Sequence, residues 1–83
     1  MSHYKIYPNP VKDYLVVKPA KAVDEYIDLS IFSYEGLLFG EYKFNHPDNH
    51  YEYIVDVKNL PRGKYYVMIH SNQEYIIEKM EKS

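Results

Sequence analysis

The side chains that could do chemistry are few and scattered. The 83 residues hold four histidines, twelve carboxylates and no cysteine, so neither a thiolate nor a disulfide is available. His46, Asp48 and His50 share the loop from Asn45 to His50, at a spacing that would let three ligands approach one metal ion. Zinc needs its ligands to converge tetrahedrally with supporting groups behind them, and a run of Asn, His, Pro and Asp reads first as a loop. Asp24, Glu25 and Asp28 form a small acidic cluster without the spacing of a calcium loop, which leaves a solvated strand start. The remaining histidines, His3 and His70, stand apart. No serine lies in a G-x-S-x-G turn and no carboxylate–histidine pair is marked, so no nucleophile is primed. Gly36, Gly40 and Gly63 are too sparse for a phosphate loop. The expectation is a chain with no catalytic residues, no metal and no cofactor. Exposed tyrosines such as Tyr42, Tyr51 and Tyr66 could stack on sugars, but tyrosines that fill strand faces and rims are the preferred reading.

Bulk properties narrow the partners. Ten basic against twelve acidic residues leave a net charge of −2, where nucleic acid normally requires a basic stripe. The length suits one domain that buries roughly 60–65% of its unfolded surface, enough for two packed layers and too little for a deep cleft as well. Eleven tyrosines with no tryptophan favour strands, because the ring packs while the hydroxyl reaches water. No apolar run approaches the roughly 18–20 residues of a helical membrane span. Met1 to His3 reads as a linker or expression remnant, and Tyr4 to Ser83 as the domain. No signal peptide precedes Tyr4, so an exported protein would carry one on a longer parent chain.

The elements that must position any site follow from alternation and turn signals. Tyr4 to Tyr7 is β-prone and is stopped by Pro8-Asn9-Pro10, where two prolines cannot donate and Asn9 is pushed extended. Tyr14 to Lys18 follows with Leu15 and Val17 inward, and Pro19 ends it. Tyr26 to Phe32 alternates Ile27, Leu29 and Ile31 with Asp28, Ser30 and Phe32, and turns at Tyr34-Glu35-Gly36. Leu37 to Phe44 places Leu38, Tyr42 and Phe44 on one face, with Gly40 marking a bulge or a close approach. Tyr51 to Val57 leads to Leu60-Pro61-Arg62-Gly63, where Pro61 presets a turn, Gly63 supplies a permissive hairpin backbone and Leu60 plugs the core. Lys64 to Ser71 and Glu74 to Met80 complete the set. Seven short strands with turn signals roughly every 8–12 residues predict an all-β, antiparallel, immunoglobulin-like sandwich. Its predicted core is Leu15, Val17, Leu29, Ile31, Val55, Val57, Leu60, Tyr65, Val67 and Ile69.

Four pieces of this sequence carry a resemblance. They are Tyr7-Pro8-Asn9-Pro10, then Leu29-Ser30-Ile31-Phe32 with Tyr34-Glu35-Gly36, then Val55-Asp56-Val57-x-x-Leu60-Pro61-x-Gly63-x-Tyr65, and a last strand containing lysine. In order and spacing they resemble the C-terminal sorting domain (type A) of proteins exported by the type IX secretion system, over about Tyr4 to Lys82. The resemblance implies a non-catalytic address label. Its cargo would cross the inner membrane by an ordinary signal peptide, fold in the periplasm and be recognised by the outer-membrane translocon. A sortase-like surface peptidase would then cut before the domain and join the cargo to an anionic lipopolysaccharide, leaving it at the outer membrane or cell surface or secreted. The last strand departs from the family's basic pattern, since Glu74, Glu78 and Glu81 alternate with Lys79 and Lys82.

Recognition is expected at Tyr75, Ile76, Ile77, Lys79, Met80 and Lys82. Both faces of that strand carry apolar residues. Two placements fit: a sheet edge open to the translocon or to a second copy in a homodimer, and an interior strand buried on both sides. A surface binding module for carbohydrate or protein, and a structural linker domain, remain competing functions.

Overall fold

The computed structural model describes residues 4–19, 26–44, 52–71 and 75–83. These hold seven strands: β1 (Tyr4–Tyr7), β2 (Tyr14–Pro19), β3 (Ile27–Ser33), β4 (Leu38–Phe44), β5 (Tyr53–Asp56), β6 (Gly63–Ser71) and β7 (Tyr75–Lys82). They form two antiparallel sheets, one ordered β1-β2-β5 and the other β4-β3-β6-β7. The all-β sandwich expected from the alternation is therefore present, with strand ends displaced by a few residues at most.

The period of two decides which side chains meet between the sheets. On β3, Ile27, Leu29 and Ile31 are fully buried, and on β6 so are Val67 and Ile69. Leu15 and Val17 on β2 and Tyr53 and Val55 on β5 face them from the other sheet. Nine of the ten expected core residues are buried, and the tenth, Leu60, is half-buried against the same cluster. Tyr4, Val11, Ile27, Tyr53 and Met80 join it as well. Truncating a side chain such as Leu29 to alanine removes about 2–5 kcal/mol, a large fraction of what a small domain has.

Three features differ from the sequence reading or sharpen it. Gly63 does not serve a hairpin. β5 and β6 lie in different sheets, so residues 57–62 form a corner that carries the chain across the sandwich. The ladder stops at Asp56; the Val57 amide donates to the Asp13 carbonyl at 2.8 Å, and the Leu60 amide closes a turn onto the Val57 carbonyl at 3.1 Å. Leu38 does not point inward. A register shift between Ile31 and Phe32 pairs them with Gly40 and Leu38, skipping Phe39. This bulge leaves Leu38 exposed and sets the Phe39 ring edge-on to Tyr65 at 5.5 Å. Gly40 also permits a close approach, since a Cβ there would lie 2.8 Å from the Tyr42 hydroxyl oxygen. Finally, β7 sits at a sheet edge, and among the described residues β6 is the only strand that pairs with it, which removes the interior placement.

The corner is locked by the residue that follows it. Tyr65 is buried, and its hydroxyl donates to the Pro61 carbonyl at 2.6 Å. This is the geometry of a tyrosine corner, in which a phenol ties down the chain just upstream as it changes sheets. Burial pushes the Tyr65 phenol above its ordinary value, so it remains a donor at neutral pH. Gly63 holds φ at 150° with open space around its Cβ position, so its constraint is one of backbone alone. We expect Gly63→Val to cost on the order of 1–2 kcal/mol and Tyr65→Phe about 1 kcal/mol. Arg62→Ala, at an exposed position of the same corner, should be nearly silent. Urea unfolding midpoints check all three, and equal midpoints for Gly63→Val and Arg62→Ala would contradict the corner assignment.

Candidate functional site

The motif residues fall into three places, not one. Asp56, Leu60, Pro61, Gly63 and Tyr65 build the corner just described. Asp56 caps its turn: its Oδ1 accepts the Lys58 amide at 3.0 Å, and its Oδ2 lies 3.7 Å from the Lys58 ammonium. Both side chains of that ion pair are exposed, so it adds little to stability. Across the rim between the sheets the Tyr42 hydroxyl reaches the Asp56 carbonyl at 3.5 Å, and burial, with the Asp56 carboxylate beside it, raises the Tyr42 phenol's pKa. Gly36 sits apart in the β3–β4 turn with φ 93°. There the Gly36 amide donates to the Ser33 carbonyl at 3.0 Å.

Pro8, Asn9 and Pro10 lie at the opposite rim, against β7. Both X–Pro bonds, Tyr7–Pro8 and Asn9–Pro10, are cis. The Asn9 side chain behaves like a piece of backbone. Its Oδ1 accepts the Glu81 amide at 2.9 Å and its Nδ2 donates to the Lys79 carbonyl at 3.3 Å. Two residues on, the Val11 amide donates to the Glu81 carbonyl at 2.8 Å, and the Val11 carbonyl accepts the Ser83 amide at 2.9 Å and its hydroxyl at 3.2 Å. Val11 is fully buried and forms a parallel bridge with Lys82. The segment from Asn9 to Val11 is thus a short strap laid along the C-terminal half of the β7 edge.

The six residues expected to carry recognition divide by the pleat. Tyr75, Ile77 and Lys79 face outward, with Tyr75 61% and Ile77 54% exposed. Ile76 is half-buried, and Met80 and Lys82 are buried. The Lys82 ammonium is satisfied by the Ser83 carbonyl at 3.2 Å. Sequence reasoning missed the neighbours of the exposed trio. Met68 lies opposite Ile77 and Tyr66 opposite Lys79 in the β6–β7 register, and Phe32 lies beside Tyr66 on β3. The Tyr34 ring stacks on Tyr66 at 4.5 Å. Together Phe32, Tyr34, Tyr66, Met68 and Ile77 line a shallow groove of about 360 Å³ that is almost wholly apolar. The alternation of Tyr66, Met68 and His70 was the signal for this outer face.

The tyrosines that could stack on sugars stand as follows. One face of Tyr66 is taken by Tyr34, Tyr42 is half-buried, and Tyr51 lies outside the described residues. His3, Asp24, Glu25, His46, Asp48 and His50 also lie outside them. Among the described residues, no three histidines or carboxylates gather as a metal site would require. The Tyr7 hydroxyl donates to Glu52 at 2.6 Å, and that bond raises the phenol's pKa, which holds it protonated.

Two hydrogen bonds from an exposed amide are worth about 1–2 kcal/mol together. Asn9→Ala should therefore lower stability by about that amount. Asn9→Asp keeps the acceptor for the Glu81 amide but sets a carboxylate against the Lys79 carbonyl, so it should rescue the loss only in part. Chemical unfolding of the three proteins measures this, and an alanine variant as stable as the parent would refute the strap.

No curated protein sequence matches the chain. Its sequence does match the family model described as the secretion system C-terminal sorting domain, over residues 5–82. That span runs from β1 through β7 and takes in the strap, the corner and the outward face of the last strand. The chain belongs to the family of type IX secretion system C-terminal sorting domains.

Proposed function

We propose that this domain is a non-catalytic address label. It directs an attached cargo from the periplasm through the type IX outer-membrane translocon, and a sortase-like surface peptidase then removes it. The observation that carries the reading is the extent of the family match, which takes in every strand of the sandwich. What would be recognised is then a folded surface. One accessible apolar part of it is the outer face of β6 and β7, where Tyr75 and Ile77 stand clear of the core. Lys79 adds a positive charge beside them, while Ile76, Met80 and Lys82 act from within by holding the strand in place.

The test fuses residues 4–83 to a reporter with an ordinary signal peptide, in a host that has the type IX machinery. The reporter should reach the cell surface and be released from the domain there; without the domain it should stay in the periplasm. Leu29→Asp, which places a charge in the core, should strand the fusion inside. Retention of the unaltered fusion in the periplasm would refute the address-label reading.

A further inference from the structure

An edge strand exposes a row of backbone donors and acceptors, and proteins usually blunt such edges. The two sheets present four edges, β1, β5, β4 and β7. β1 and β5 are only four residues long. β4 is interrupted by its bulge and carries Glu41 and Lys43. On β7 the C-terminal half is covered by the strap. Glu81 turns its amide and carbonyl outward, to Asn9 and Val11, and Lys79 turns its carbonyl outward to Asn9. The two-residue period then turns the backbone groups of Ile77 and Tyr75 to the same side. Among the described residues no strand besides β6 pairs with β7.

We propose that the Tyr75–Lys79 stretch of the β7 edge receives an extended polypeptide segment of the export machinery by strand addition, and that Asn9 marks where the added strand stops. The inference rests on the address-label reading and says how the label is read. Three observations carry it. The neighbouring half of the same edge already seats the bent strap, residues 9–11, through the backbone bonds of Val11 and the backbone-like side chain of Asn9. The open half carries Ile77, the outermost residue of the apolar groove that runs back over Met68 and Tyr66 on β6 to Phe32 on β3. In strand addition the backbone supplies affinity and such side-chain sockets supply selectivity. The Tyr75 hydroxyl, donating to the Met68 sulfur at 2.6 Å, holds the ring inboard over β6, away from the open edge. The incoming segment should therefore be extended, with apolar side chains at alternate positions on the groove side.

Parity gives a sharp test. Proline at position 77 removes an N–H that points outward and has no acceptor among the described residues, a position where edge strands tolerate it. Proline at position 76 removes one that points to β6. In the fusion described above, Ile77→Pro should keep its melting temperature and lose surface display, whereas Ile76→Pro should lose both. If proline at 77 does destabilise the fold, Ile77→Asp leaves the backbone intact, charges the groove, and should also abolish display. A photo-crosslinking residue in place of Tyr75 should capture a component of the machinery, and one in place of Ile54, exposed on the opposite sheet, should not. Normal display of a folded Ile77→Pro or Ile77→Asp variant would overturn the inference while leaving the address-label reading intact. Capture of a second copy of the fusion would overturn it in favour of a homodimer. Failure of the unaltered fusion to reach the surface would remove both.

Discussion

Burial between the two inward faces is what joins the halves of this domain. Ladder hydrogen bonds run within each sheet, and none of them spans the gap between sheets, about 10 Å in such sandwiches. The work falls on side chains. Leu15, Val17, Tyr53 and Val55 from one sheet meet Ile27, Leu29, Ile31, Val67 and Ile69 from the other, and each is at most 1% exposed. β-Branched and aromatic residues suit this role because they lose little rotamer freedom on a pleated surface. The sequence satisfies the demand by keeping strict alternation on β2, β3, β5 and β6, where every inward position is apolar or, at Ser33 and Ser71, small.

The rims need other means. At one rim the chain changes sheets, and the Tyr65 hydroxyl and the Asp56 side chain organise the corner. At the other, Asn9 and Val11 complete a ladder that β7 would otherwise leave open. Asn9, Asp56 and Tyr65 each act through a specific hydrogen bond at these rims, and the core between them asks only for apolar residues of suitable volume.

Period-two patterning made the strands, the core and the sandwich legible from the residues alone. What escaped it depends on register or on distant partners. The bulge at Phe39 inverts the facing of Leu38, and only the pairing of Ile31 and Phe32 with Gly40 and Leu38 reveals it. Gly63 looked like a hairpin glycine because local sequence does not say whether the next strand joins the same sheet. Asn9 was read as a rigid lead-in, since its partners Lys79 and Glu81 lie 70 and 72 residues away. Lys82 stands among the residues expected to carry recognition, yet its alternation with Met80 turns it inward.

The strap also ties the domain's fold to the order in which a ribosome makes it. Asn9 and Val11 are made early, but the groups they bond belong to Lys79, Glu81 and Ser83. Domains can begin folding while synthesis continues, yet this contact has no partner until the last strand has emerged and paired with β6. A nascent or truncated chain therefore leaves both the strap and the β6 edge unsatisfied. Closure of the strap certifies that translation has run through β7.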